Sequence, residues 1–417
     1  MTGRTFQIVG LLTAAALAAG LCSVAFAAPK RSSIAVQSQK KAVAKKEVKK
    51  DELPISAPHA ILIDAENGGV LFERDPDQLI FPASLGKLMT VEYVFHELKE
   101  GRLKPTDEFE VSENAWRKGG APSHGFTMYA SLHSKVAVND LLHGMIVQSG
   151  NDACIVLAEG LAGNEYDFAA KLTQRAREIG LPKSVFTNSN GLPDPNEKVT
   201  TRELGMLARH IIVNYPENYS IFGEREFTWN KIRQQNRNPL LGLVDGADGL
   251  KTGFTNDAGY GLVGSAVQNG LRLIVVVNGL KTANARSEEA KKLLEWGYRN
   301  FEHRDLFAEG QIIGSAKVYG GASGYVPLMA TGLVRIMVPK SGGERLLARI
   351  AYQGPVPAPV TQGQPIGLLK VWRGENLILQ MPLKAAGDVG KGNVSQRAFD
   401  AVTEMVIGVF RAGAERL

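Results

Sequence analysis

Ser84-Leu85-Gly86-Lys87 runs straight into Leu88, Val91, Tyr93, Val94, Phe95 and Leu98, and the run closes near Gly101. Apolar residues three and four apart predict a helix that Ser84 opens. The neighbouring segments have a different period. Upstream, His59-Ala60-Ile61-Leu62-Ile63-Asp64 and Val70-Leu71-Phe72-Glu73 flank Asn67-Gly68-Gly69, the signature of a β-hairpin. Downstream, helices are expected over Val138 to Met145, Asp152 to Leu161 and Asn164 to Ile179. A capping box, Thr200-Thr201-Arg202-Glu203, is expected to open another. Beyond residue 247 the sheet pattern returns. Leu250 to Phe254, Gly259 to Val267 and Leu271 to Val277 read as adjacent antiparallel strands, and Arg286 to Phe301 as a closing helix. The fold class is therefore α/β: an antiparallel sheet split in sequence by a large helical insertion.

Three short signatures fall on this frame in order: Ser84-Leu85-Gly86-Lys87 at a helix start, Ser149-Gly150-Asn151 between helices, and Lys251-Thr252-Gly253 on a strand. Each is weak alone. Ser38-Gln39-Lys40-Lys41, Ser112-Glu113-Asn114, the run Asn188-Ser189-Asn190 and Lys340-Ser341-Gly342 offer rivals. Placement on helix start, loop and strand selects the first set. Three residues of helix put Ser84 and Lys87 on one face. A serine hydroxyl needs a base to become a nucleophile. Lysine serves as that base only if burial or a second cation, here Lys251, lowers its pKa. Ser149 can relay a proton, and Asn151 can hold a carbonyl and steady Lys87. Gly253 would let a substrate backbone lie close to its strand. Lys251 and Thr252 can bind a carboxylate, and the Phe254 backbone N–H can join that of Ser84 as an oxyanion donor.

Other chemistries are poorly supported. The seven histidines are scattered, and no G-x-S-x-G elbow, H-E-x-x-H or paired-cysteine signature occurs. No metal and no cofactor are expected. The net charge of +6 misleads, because residues 1–53 carry nine basic and three acidic residues and account for all of it. The neutral body offers no polyanion-binding surface, so no nucleic-acid partner is expected. Arg4, the apolar run Ile8 to Leu21 and Ala25-Phe26-Ala27 read as a signal peptide, residues 1–27, on an exported chain. Residues 28–53 read as a basic, disordered linker. The one cysteine beyond the signal, Cys154, lies in an apolar run and reads as a buried thiol.

Residues 54–304 form the expected catalytic domain. Residues 305–392, with Leu333 to Pro339 and Leu346 to Tyr352 as short strands between Gly- and Pro-rich turns, read as a small all-β domain. Residues 393–417 carry Phe399, Val402, Val406, Val409, Phe410, Gly413 and Leu417 as an apolar stripe on an amphipathic helix. Packing on the β-domain and a place in a membrane interface both suit that stripe.

Longer matches add to the three signatures. They are Asp245 through Thr255, Ala258-Gly259-Tyr260, and Arg286-Ser287-Glu288-Glu289-Ala290-Lys291-Lys292-Leu293-Leu294. With them the chain resembles a low-molecular-mass penicillin-binding protein, specifically a serine-type D-alanyl-D-alanine carboxypeptidase of the penicillin-binding protein/β-lactamase superfamily. The resemblance spans nearly everything except the basic linker. It implies a penicillin-binding transpeptidase-like fold. It implies removal of the terminal D-alanine from peptidoglycan stem pentapeptides through an acyl-serine, with β-lactams as covalent inhibitors. Ser84 would be the nucleophile and Lys87 its base, with Ser149 and Asn151 completing proton transfer and positioning. Lys251, Thr252 and Arg286 would hold the terminal carboxylate. Phe254 stands where some relatives carry histidine, so rates would differ. The C-terminal helix would attach the protein peripherally to the outer, periplasmic face of the inner membrane. The alternatives are a D,D-endopeptidase cutting cross-links and a catalytically weak wall-binding scaffold. A class A β-lactamase fits less well, since no convincing E-x-x-L-N segment is present.

Overall fold

The computed structural model describes residues 55–402 apart from 343, 344, 375 and 399. Strands β1 (His59–Asp64) and β2 (Val70–Arg74) form the first hairpin. Gly68 has φ +79° in its turn, and Asn67 Oδ1 accepts the Gly69 N–H. The insertion carries α1 (Lys87–Lys99), α2 (Val138–Ile146), α3 (Asn151–Ala162), α4 (Glu165–Glu178) and α5 (Thr201–Asn214) as its longer helices. The chain then returns to the sheet as β3 (Ala247–Thr255), β4 (Gly259–Gln268) and β5 (Leu271–Leu280), and closes with α6 (Ala283–Asn300). The strand order is β2-β1-β5-β4-β3, all antiparallel. The expected split domain is thus what forms, and β3 is its edge strand.

The central strands read as unbroken apolar runs because both faces are covered. Ile61, Ile63, Ile274 and Val276 belong to one core with Leu88, Val91 and Phe95 of α1. The alternate residues Leu62, Val275 and Val277 belong to another with Ala290, Leu293 and Leu294 of α6. This is the period-two alternation of a pleated strand, read on both sides. Full burial of each such leucine contributes about 1.5–3 kcal/mol. In α3 the eight residues from Asn151 to Ala158 are all buried, so this helix is a core element rather than an amphipathic one.

The Thr200 cap was expected, whereas Thr282 caps a closing helix that begins at Ala283, three residues before the expected start. Asn164, Thr200 and Thr282 accept the N–H of Asp167, Glu203 and Ala285. Only half of the capping box forms, however. The Glu203 carboxylate turns away from Thr200 and accepts from the Lys183 N–H at 2.8 Å and the Ser184 hydroxyl at 2.5 Å. A carboxylate this buried takes the donors that complete its shell, here from the loop before α5.

The all-β part begins without a break as β6 (Phe301–Phe307). It continues through β7 (Ile312–Tyr319), β8 (Tyr325–Ala330), β9 (Val334–Pro339), β10 (Leu346–Tyr352), β11 (Val356–Pro357), β12 (Pro365–Arg373) and β13 (Asn376–Ala385). β6 pairs with β9, and the rest form a sheet in the order β10-β12-β13-β8-β7-β11. Its own core holds Val326, Leu328, Ile336, Val371 and Leu383, whereas Phe301 and Met337 join the α6 core of the first domain. Residues 394–402 are helical where described, and Asp400 accepts the Gly320 N–H at 2.8 Å. Of the expected C-terminal stripe only Val402 lies among the described residues; residues 1–54, with the signal and linker, also lie outside them.

Candidate active site

The three signatures converge where α1, α3 and β3 meet. Lys87 is 0 % exposed, and its Nζ lies 2.8 Å from Ser84 Oγ and 2.5 Å from the Asn190 carbonyl oxygen. Ser84 does not sit in the first turn of α1, as its spacing suggested. It occupies a separate 3-10 turn, Ala83–Gly86, that precedes the helix. Tight 3-10 geometry eclipses residues three apart, so the serine and lysine still share one face. Ala83, just before Ser84, has φ +49°, and Ser149 has φ +68°. Both are L-residues held in the left-handed region, a local cost that packed surroundings must support.

Glycines supply that support. A Cβ on Gly253 would lie 3.1 Å from both the Pro82 carbonyl oxygen and Leu85 Cγ, and 3.2 Å from Leu85 N. A Cβ on Gly261, its cross-strand partner, would meet Leu85 Cδ1 at 3.1 Å. Gly191, at φ +75°, would collide with the Ala83 carbonyl oxygen if it carried a side chain. The bare backbone of Gly253 is also where the turn that carries Ser84 docks on the edge strand.

Lys251 is 2 % exposed and Thr252 is buried. Two buried amines are electrostatically coupled here. Burial lowers the pKa of Lys87, against raising contributions from Cys154, Glu197 and Asp152. Burial also lowers Lys251, which Lys87, Arg237 and Arg286 depress further. Burial of both amines favours their neutral forms, which is the condition for one of them to act as a base. Cys154, 0 % exposed, donates its thiol to the Gly150 carbonyl, and burial pushes it up to about 12. It is the structural thiol that its apolar run predicted.

Ser149 Oγ is buried and has no hydrogen-bond partner among the described residues. Asn151 is buried at the start of α3, and its N–H donates to the Phe126 carbonyl at 2.7 Å. Next to it, Asp152 accepts from Thr127 Oγ1 and from the N–H groups of Met128, Ala130 and Ala153. This buried carboxylate clamps the 127–130 loop beside the second signature.

Pairing divides the third signature between two faces. Lys251 pairs with Val263 of the insertion-side core, while Thr252 pairs with Leu262 of the α6-side core. Phe254 is 47 % exposed and stacks on Tyr260, with 4.1 Å between centroids. Arg286, on α6, lies over the same Tyr260 ring at 5.6 Å, and its Nε is buried without a hydrogen-bond partner. Burial lowers its pKa. Arg286 thus approaches the edge strand from the face opposite Lys251.

Sequence reasoning missed four contributors. Asn190 belongs to a run dismissed as a rival motif, yet its backbone carbonyl meets Lys87. Thr90 Oγ1 likewise donates to the Ser189 carbonyl at 2.6 Å. Glu197 and Arg237 act electrostatically on the two lysines and carry no motif at all. Only the buried environment reveals them. Ser112 proves to be the N-cap of the helix Glu113–Gly119, and Lys340-Ser341-Gly342 lies in a turn.

Comparison with known proteins agrees with this geometry. Residues 44–282 match the D-alanyl-D-alanine carboxypeptidase family, and residues 301–391 match the penicillin-binding protein 5 C-terminal domain. The chain is 38 % identical over 359 residues to D-alanyl-D-alanine carboxypeptidase DacA of Haemophilus influenzae, covering 85 % of this chain and 91 % of that protein. The solved structure of penicillin binding protein 5 from the same organism superposes with a TM-score of 0.72 at 38 % identity, over 81 % of this chain and 98 % of that one. Penicillin-binding protein D2 of Listeria monocytogenes, solved in an ampicillin-bound form, gives 0.53 at 31 % identity, over 59 % and 99 %. The first family model covers the split sheet domain and the second covers the all-β domain. The chain belongs to the D-alanyl-D-alanine carboxypeptidase family of serine peptidases.

Proposed function

We propose that Ser84 is the acyl-enzyme nucleophile and Lys87 its general base in removal of the terminal D-alanine from peptidoglycan stem pentapeptides. The observation that carries this reading is the 2.8 Å contact between Lys87 Nζ and Ser84 Oγ at a fully buried amine. With the amine neutral, the hydroxyl donates across that contact. Oγ attacks the penultimate carbonyl as its proton passes to Nζ. The backbone N–H groups of Ser84 and Phe254 bind the oxyanion, each such donor contributing about 2.7–4 kcal/mol. The C–N bond then breaks, and the departing D-alanine amine takes the proton from the Lys87 ammonium through Ser149. Asn151 holds the substrate carbonyl. A water then releases the acyl group, returning the proton to Ser84.

Lys251, Thr252 and Arg286 bind the terminal carboxylate from both sides of the edge strand. That anion supplies Lys251 with the countercharge it lacks, which leaves Lys87 as the amine that gives up its proton. β-Lactams acylate the same serine, a reading supported by the ampicillin-bound relative. Release of free D-alanine from a diacylated D-Ala-D-Ala tripeptide tests the proposal. Turnover is expected, and a folded protein that releases none would exclude it.

We further propose that the chain is exported by residues 1–27 and attached to the outer face of the inner membrane through residues 393–417. The apolar stripe supports this, with Arg397, Asp400, Glu404, Arg411, Glu415 and Arg416 lying off it. No helix among the described residues is long and apolar enough to cross a membrane. Removal of residues 393–417 is expected to move the protein from the membrane fraction to the soluble one. Unchanged membrane recovery would refute the attachment.

A further inference from the structure

Glu197 is 2 % exposed, lies in the loop before α5, and has no role in the steps above. Its two carboxyl oxygens are treated differently. Oε2 accepts from Asn188 Nδ2 at 3.0 Å. Oε1 is buried without any hydrogen-bond partner, over Gly86 and on the wall of a cavity of about 170 Å³. Pro82, Ala83 and Gly191, which pack on the nucleophile's turn, line the same cavity. From Asn188 the connection continues inward. Asn188 Oδ1 accepts the N–H of Asn190 at 3.1 Å and of Gly191 at 2.6 Å, and the Asn190 carbonyl accepts from Lys87 Nζ. Glu197 therefore reaches Lys87 by one continuous chain of hydrogen bonds.

We propose that Glu197 is a positioning residue for Lys87: it anchors the Asn188–Gly191 loop that holds the amine, and its charge sets the pH at which that amine is free to take the serine's proton. The inference rests on the assignment of Lys87 as general base. An uncharged acceptor would suffice to hold Asn188, and burying a carboxyl with one oxygen unpartnered is costly. The charge is what an amide would lack. When the Ser84 proton moves to Nζ, an ammonium forms in a buried place, and a carboxylate nearby stabilises it. The other groups that act on Lys87 are Cys154 and Asp152 on α3, which raise it, while Lys87 itself lowers Lys251 on β3. Asp152 spends its carboxylate on four donors, so of the two carboxylates that act on Lys87 only Glu197 keeps an oxygen without a partner. Glu197 itself feels Lys87 and Asp194, and burial raises it to about 8.

The test is the pH profile of acylation by a fluorescent penicillin, measured on the full chain for wild type, Glu197→Gln and Glu197→Asp. Glu197→Gln keeps an acceptor for Asn188 and removes the charge. Without the carboxylate Lys87 is a weaker base, so the acid limb is expected to move down by about 0.5–1.5 pH units. The plateau rate is expected to fall by about 3–30-fold. Glu197→Asp keeps the charge, and its limb is expected to stay within about 0.3 units of wild type. Asn188→Ala breaks the anchor but leaves the carboxyl. It is expected to lower the plateau without shifting the limb downward. A Glu197→Gln limb that coincides with wild type overturns the proposal, even if the plateau falls, because a merely structural role moves only the plateau. Should Glu197→Gln not fold, a Glu197→Asp limb displaced downward as far as 0.5 units or more overturns it instead. Failure of the wild type itself to label at Ser84 would overturn the Ser84–Lys87 assignment, and is distinguishable from either result.

Discussion

Ser84→Ala is expected to abolish covalent labelling by a fluorescent penicillin and to cut D-alanine release by more than about 10⁴-fold, since loss of a catalytic nucleophile removes the whole acyl-transfer route. The fold is expected to survive. Ser84 lies on a half-buried turn held by backbone contacts with Pro82, Leu85, Gly191 and Gly253, none of which uses its hydroxyl. The one hydrogen bond lost, to Lys87, leaves that amine on the Asn190 carbonyl. Thermal unfolding should therefore shift by no more than about 1 kcal/mol in stability. Intact-mass spectrometry after antibiotic treatment reads the outcome directly. A Ser84→Ala protein that still gains the mass of the antibiotic would show that another residue is the nucleophile.

Lys87→Met is expected to separate function from stability. Methionine fills nearly the same volume with no charge to desolvate, and isosteric apolar replacement of a buried charge is often neutral or stabilising. Acylation should fall by about 10²–10⁴-fold, the usual contribution of a positioned general base. The pH dependences follow from the lowered pKa of Lys87. In the wild type the reactive amine is the neutral one, so acylation falls as pH drops through the folded-state pKa. In the unfolded chain the same lysine titrates near about 10.4. Between those two values the unfolded state binds the extra proton, so wild-type stability rises with pH across that window. The stability advantage of Lys87→Met should therefore be greatest at low pH and shrink towards pH 10. An acylation rate within threefold of wild type would remove Lys87 from the mechanism. A large stability loss at every pH would mean that the amine holds the core together rather than straining it.

The parts legible in sequence were those governed by local rules. The hairpin at Asn67-Gly68-Gly69, the strands after residue 247 and the cap at Thr200 follow from period, turn residues and side-chain acceptors within a few positions. The two-sided burial of β1 and β5 was implicit in their unbroken apolar runs. Where the reading slipped, a distant group had intervened. Glu203 left the capping box because Lys183 and Ser184 offered it better donors. Gly253 also accommodates Leu85 and Pro82, which lie some 170 positions earlier in the chain.

By itself, then, the sequence determined which chemistry this protein carries: a serine with a lysine three residues on, a serine-asparagine loop, and a lysine on a strand, each on its proper element. A side chain's type and its neighbours along the helix are local properties, and spacing encodes them. The tertiary structure alone decided how that chemistry is tuned. It placed Ser84 on a 3-10 turn seated against bare glycines, brought the Asn190 carbonyl and Glu197 to bear on Lys87, and set Arg286 on the far face of the edge strand from Lys251. Burial and electrostatic coupling depend on which residues meet in space, and such meetings leave no period or motif along the chain.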